Sequence, residues 1–211
     1  MDHDDFKFEP VRGLPEALPE GEHILWQGSP DPWRLAVEAL SIRWVAGYFA
    51  LLAIWRVGAS SAAGPLPEAL AHAIPFALAG LIACGLIYLL ATVQARSAVY
   101  TLTNRRVAMR IGAALTMTLN LPYRQIEDAD LDLRRGGTGT LAFSLKGDVQ
   151  FSYLLTWPHV RPWKMSPTRP ALRCIPDAER IAALFAEAAE ACVSEPVVER
   201  RPAAPSPIAA E

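Results

Sequence analysis

Residues Ala69 to Val93 form 25 consecutive positions without a formal charge, and this stretch limits the possible folds more than any other. At about 1.5 Å per residue, a helix of that length crosses roughly 30 Å of hydrocarbon with room for tilt. A soluble core helix seldom needs an apolar surface all round over such a length. The stretch predicts a transmembrane helix over about 69–93, followed at once by Gln94-Ala95-Arg96.

A second span is predicted upstream, over about 36–59. Its most apolar part, Trp44 to Trp55, is too short by itself to cross a bilayer. Leu40 and Ile42 extend it on one side and Val57 to Ala63 on the other, and Arg43 and Arg56 bracket it and can snorkel to opposite interfaces. Trp44, Tyr48 and Trp55 form a weak aromatic belt. The connection from Gly58 to Leu70 has no Lys or Arg, whereas Arg34, Arg43, Arg96, Arg105, Arg106 and Arg110 flank the pair on its other side. The positive-inside rule therefore predicts a hairpin over 35–95 with both termini in the cytoplasm, Arg56 alone counting against it. Ala79 with Ala83, and Gly80 with Cys84, are small residues four apart. That spacing lets another helix approach closely, whether the partner span, a second copy or another protein.

The chain is 52% hydrophobic with a mean hydropathy of +0.18, so part of it is expected in lipid and part in water. Its net charge of −2 conceals an asymmetry. Residues 1–41 carry 3 Lys/Arg against 9 Asp/Glu, while residues 96–193 carry 13 against 9. Cys84, Cys174 and Cys192 have neither metal nor redox spacing and are expected as reduced thiols. The acidic N-terminus lacks the order of a signal peptide. Residues 1–34 read as an irregular, acidic, Pro-rich cytoplasmic segment. Within it Ile24 to Gly28 is either a strand or a membrane-surface anchor, and Trp26 and Trp33 suit the headgroup layer.

From Ser97 the periodicity changes to that of short strands. Val99–Leu102 and Val107–Gly112 form a hairpin signal around Thr103-Asn104, and Leu115, Met117, Leu119 and Leu121 alternate. A fourth segment holds Ile126, Ala129, Leu131 and Leu133, a Gly136-Gly137-Thr138-Gly139 turn leads to Thr140–Leu145, and Val149–Leu155 is read as a further strand. After a break at Trp157–Pro167 come a last strand, Ala171–Ile175, and a helix over 177–192 with the stripe Ile181, Leu184, Phe185, Ala188 and Cys192. Residues 194–211 are expected to be a disordered tail. The predicted class is membrane α+β: a two-helix transmembrane hairpin, then over 96–193 an antiparallel β-sandwich or barrel with a C-terminal capping helix.

Two helices followed by Tyr100-Thr101-Leu102-Thr103-Asn104-Arg105-Arg106-Val107 resemble the bacterial pleckstrin-homology-like domain family, which implies about seven strands closed by that helix. Phe8-Glu9-Pro10, Gly13-Leu14-Pro15, Ile24-Leu25-Trp26-Gln27-Gly28 and Trp157-Pro158-His159 with Arg161-Pro162-Trp163 resemble, more narrowly, the PuhB family. Those proteins assemble photosynthetic complexes in purple phototrophic bacteria. The resemblance implies a non-enzymatic factor of the inner (intracytoplasmic) membrane. Its implied partners are reaction-centre subunits, the H subunit first, and also light-harvesting 1 or other assembly factors. A lipid-binding or self-oligomerising protein with a general membrane role is the alternative.

The residues themselves give no catalytic pattern: His3, His23, His72 and His159 are scattered, and no HExxH, CxxC or P-loop occurs. No cofactor, metal or nucleic-acid partner is expected. Glu127, Asp128, Asp130 and Asp132 read as a solvated strand face in preference to a cation site. Arg105, Arg106 and Arg110, with Arg96, are candidates for anionic lipid near the membrane exit, or else only enforce topology. Trp157, His159, Arg161, Trp163 and Lys164 are candidates for a membrane or partner contact, the bland alternative being a loop packed on its own sheet.

Overall fold

Ala98 is the single residue between a 24-residue helix, Ile74–Ser97 (α4), and the strand Val99–Thr103 (β2), so the helical and β parts of the chain are joined almost without a linker. The computed structural model describes residues 11–61, 64–113, 115–134, 136–147 and 151–194. Upstream of α4 lie strand Ile24–Gly28 (β1) and helices Pro32–Glu38 (α1), Ile42–Ser61 (α2) and Leu66–Ala71 (α3). Downstream of β2 follow strands Arg106–Ile111 (β3), Met117–Pro122 (β4), Ile126–Leu133 (β5) and Gly139–Leu145 (β6). The short helix Tyr153–Thr156 (α5), strand Ala171–Ile175 (β7) and helix Ala178–Ser194 (α6) complete the order.

The strands form two antiparallel sheets, β1-β2-β3-β4 and β5-β6-β7. Thr103 closes the β2–β3 hairpin: its hydroxyl accepts from the backbone N–H groups of Arg105 (3.1 Å) and Arg106 (3.0 Å), which sets Leu102 opposite Val107. Between the sheets lies one core of Tyr100, Leu102, Met109, Leu121, Leu141, Phe143 and Leu172, onto which α6 lays Ile181, Phe185 and Ala188. In β5 a bulge between Ile126 and Asp128 resets the alternation, so Ala129 and Leu131 pack inward while Asp128, Asp130 and Asp132 take the other face.

Several expectations change. Ile24–Gly28 takes the strand alternative and not the anchor: β1 pairs with β2, placing Gln27 opposite Thr101, and so supplies the seventh strand from outside residues 96–193. The first long helix begins at Ile42, not near residue 36, because Ser41 adopts φ 55° and ends the preceding turn. Residues 32–38 are instead a separate helix, α1, capped by Asp31, whose carboxylate accepts from the Arg34 N–H at 2.7 Å. α1 wedges between α4 and the sheets: Leu35 packs with Ala95 and Cys174, Ala36 packs with Ala91, and the Asp31 N–H donates to the Cys174 carbonyl at 2.9 Å. The second apolar stretch is divided at His72–Ala73 into α3 and α4, with Pro75 in the first turn of α4 where its missing N–H is not needed. No strand covers Phe151–Leu155. Thr156 turns back on Ser152, its N–H and hydroxyl both donating to that carbonyl, and the segment forms α5; Val149 and Gln150 lie outside the described residues. The C-terminal helix runs from Ala178 to Ser194; residues 195–211 and 1–10 also lie outside the described set.

α2 and α4 run antiparallel. A Cβ placed at Gly80 would lie 2.7 Å from the Phe49 Cβ, so glycine is what lets the helices meet there. Both helices are long and apolar enough to cross a membrane, and only 6% and 11% of their apolar windows is buried within the chain.

Candidate functional site

The loop between α5 and β7 is held on both faces and still presents large apolar side chains to the outside. Its inner end is pinned by His159, which is 1% exposed. The Tyr100 hydroxyl lies 2.5 Å from His159 Nδ1, and the Arg173 backbone N–H points at the same hydroxyl at 3.4 Å. That oxygen accepts from Arg173 and is the hydrogen-bond partner of Nδ1, while Nε2 is buried with no partner among the described residues. Burial first, and the neighbouring Arg173 guanidinium second, lower the His159 pKa to about 3, so the ring is neutral at pH 7. Burial likewise raises the pKa of the Tyr100 phenol. Arg173 is 3% exposed and gives an N–H to the Pro158 carbonyl at 3.4 Å. The middle of the loop is clasped to β5: the Asp130 carboxylate accepts from Arg161 and, at 2.8 Å, from Arg169. Val160 forms a bridge with Pro170 across the base.

Between these fixed points the loop turns outward. Trp163 sits at φ 61° and is 92% exposed, and Met165 beside it is also exposed. On the approach to the loop Leu154, 85% exposed, and Leu155 point away from the core. Four large apolar side chains are thus left uncovered along one segment, at a cost against water.

The candidate residues named from the sequence fall in different places. Trp163 remains available, Lys164 and Trp157 are half-buried, and Arg161 is engaged with Asp130. His159 is corrected: it is a buried internal partner of Tyr100 and is closed to any outside molecule. Trp26 is also corrected. Its indole packs against the core between the sheets, and a Cβ on Gly28 would collide with it, so it is no headgroup anchor. Trp33 stays half-exposed, edge-on to Tyr88 of α4 at 6.2 Å. Arg110 is 7% exposed within β3 and offers no lipid contact. Arg105 and Arg106 lie at the β2–β3 turn, the end of β2 remote from α4, where Arg106 pairs with Glu22 at 2.8 Å; Arg96, in the last turn of α4, is the one exposed at the end of that helix. Of the small residues, Gly80 seats Phe49 and Cys84 packs in the cluster of Ala36, Ile42 and Ala91, so both serve the chain's own hairpin. Ala79 faces outward, and Ala83 is half-buried.

Sequence reading missed Leu154 and Leu155, taken as strand residues, and missed Arg169 and Arg173, whose partners Asp130 and Pro158 become neighbours only through the loop. Asp132 is likewise paired, with Arg134 at 2.8 Å, so the acidic face of β5 is partly a docking strip for arginines. Among the described residues no group of three or more His, Cys, Asp or Glu side chains is placed to hold a metal. Burial, with Glu38 beside it, raises the Cys174 thiol to about 12, and all three cysteines are free.

Across 214 aligned positions the chain is 45% identical to a Rhodobacter capsulatus protein named as an uncharacterized 23.7 kDa protein in the puhA 5′ region, and the match covers 99% of each. A solved structure, a DUF1696 family protein with a pleckstrin-homology domain from Shewanella loihica PV-4, is similar over 44% of this chain and 71% of its own, at 14% identity and a TM-score of 0.30. The sequence profile of the bacterial PH domain family matches residues 40–189, from the start of the helical hairpin to the last turns of α6. The chain belongs to the bacterial PH domain family.

Proposed function

We propose that this chain is a membrane-bound assembly factor for the photosynthetic reaction centre and light-harvesting 1 core complex, of the PuhB kind. It acts by transient binding to unassembled subunits and performs no covalent chemistry. In this reading α2 and α4 cross the inner (intracytoplasmic) membrane with both termini in the cytoplasm, and the β-module hangs beneath them. The reaction-centre H subunit is the first expected client, with light-harvesting 1 polypeptides or other assembly factors as further partners.

The observation that carries the reading is full-length similarity to a relative whose name puts it in the puhA 5′ region, a setting that fits photosynthesis. Two structural features agree with it. The long helices leave most of their apolar surface for a neighbour outside the chain. The Leu154, Leu155, Trp163 and Met165 surface offers a docking point whose backbone is already held by the Asp130 clasp, which limits the ordering entropy lost on binding.

The test is recovery of partners with a tagged chain from mildly solubilised membranes. Reaction-centre subunits co-purify with the wild type, and the double variant Leu154→Asp/Trp163→Ala, which alters only exposed side chains, recovers them at least about tenfold less. Recovery of lipid and self-copies alone points instead to a lipid-binding or self-oligomerising role, and undiminished recovery by the variant removes the loop from the reading.

A further inference from the structure

We infer that the hairpin fits a thin bilayer and compresses an ordinary one around itself, its partner at this surface being lipid with phosphate headgroups at two closely spaced levels. The inference rests on the membrane reading above. It begins with α2, whose apolar run was expected to gain length from residues 35–41. Those residues instead form α1 and a break at Ser41, with Leu35 and Ala36 buried against α4 and β7, so they add nothing to the span. The uncharged run is then Trp44 to Trp55, about 12 residues or roughly 18 Å of helix, with Val57 to Ser61 continuing α2 beyond Arg56.

The packing of α2 on α4 fixes where these arginines stand. Ile42 shares a cluster with Ala91, and Phe49 meets Gly80, so the antiparallel register brings Arg56 level with the first turn of α4, near Ile74. Neither Arg43 nor Arg56 has an ion-pair partner among the described residues, and each needs phosphate or water.

α1 sets the inner boundary independently. It carries Arg34 and Glu38, and it packs through Trp33 on Tyr88, Ala36 on Ala91 and Leu35 on Ala95. The body of α1 is thereby held at the level of α4 residues 88–95, although α4 is still apolar there, and the Glu38 carboxylate reaches Arg134 of the β-module at 3.7 Å. From Ile74 to Ala91 is about 25 Å of helix. Both helices thus give a slab of about 18–25 Å, against roughly 30 Å for an ordinary hydrocarbon core. Snorkelling by the two arginines covers part of the difference, and lipid deformation covers the rest. A compressed annulus also shortens the hydrocarbon that the polar flanks of an incoming client helix must cross.

The experiment reconstitutes the full chain from detergent into phosphatidylcholine vesicles with monounsaturated 14-, 18- or 22-carbon chains and measures the fraction floating with lipid. Incorporation is expected to favour 14-carbon over 22-carbon bilayers by about tenfold, since each ångström of mismatch is penalised. Arg56→Leu, which lengthens the apolar run, should move the optimum to 18-carbon lipid, while Arg56→Lys keeps the wild-type profile. Equal incorporation at all three lengths, a preference for 22-carbon lipid, or an unchanged profile in Arg56→Leu overturns the inference while leaving the membrane reading intact. Failure of the wild type to float with any vesicle overturns the membrane reading itself.

Discussion

The hairpin and the β-module draw on the same apolar residue types and use them in opposite directions. Every residue of β2 and β7 is buried within the chain, whereas Trp44, Leu51, Leu81, Ile82 and Leu86 of the two long helices face outward. Apolar content states only a demand for a neighbour other than water. In the module, two sheets and α6 meet that demand for one another; in the hairpin it is met from outside, because two helices in contact along one line can cover only a narrow stripe of each other. Stability of the module should therefore depend on its own packing, and that of the hairpin on its solvent.

The largest expected contrast is between matched truncations on the two sides. Phe143 is fully buried against Phe185 at 5.1 Å, and Phe143→Ala should destabilise the detergent-solubilised chain by about 3–5 kcal/mol in urea unfolding. Leu81→Ala, on the outward face of α4, should stay within about 0.5 kcal/mol. Equal losses would erase the distinction.

Next comes acid sensitivity centred on His159 of the module. His159 is neutral in the folded chain with a pKa of about 3, against about 6.5 when unfolded, so only the unfolded state takes up a proton between those values. Stability is unaffected by this group above about pH 7, and it falls by up to about 1.4 kcal/mol per unit as the pH drops below 6.5. Carboxylates add their own acid dependence, so the measurement is the difference from His159→Gln, in which the amide oxygen can still accept from Tyr100 and this contribution is gone. Identical acid profiles would mean that the imidazole is reached by water.

The smallest effect sharpens the comparison within the hairpin. Gly80→Val drives a side chain into Phe49 and should cost about 1–3 kcal/mol, read as reduced thermal stability in micelles. Gly47→Val meets nothing within 4 Å and should change the same reading little.

Much of this arrangement was legible because it is local. The apolar run of α4, the Thr103-Asn104 hairpin and the α6 stripe follow from neighbours a few residues apart. What escaped was decided at long range. Nothing near Leu35 or Ile42 distinguishes a helix buried on α4 from the start of a span, since both are apolar; contacts with Ala91, Ala95 and Cys174 decide it. Ile24–Gly28 was legible as either a strand or a surface anchor, and pairing with residues 100–103 decides for the strand. His159 looked available because its partner, Tyr100, lies 59 positions away. The loop as a candidate contact was visible in its Trp and Pro content, but Leu154 and Leu155 were not, because Val149–Leu155 read as a strand and a backbone turn onto Ser152 intervened.

The direct passage from α4 into β2, braced by α1, has a mechanical consequence. With one residue at the joint and a strut from Asp31 to Cys174, there is no universal coupling to absorb a change of helix angle. A swing of α4 by about 10° would sweep the far end of a five-residue strand through about 3 Å, taking its length as about 17 Å. The β-module is thus geared to the hairpin as a pointer is to its axle, and whatever tips the helices moves the surface below.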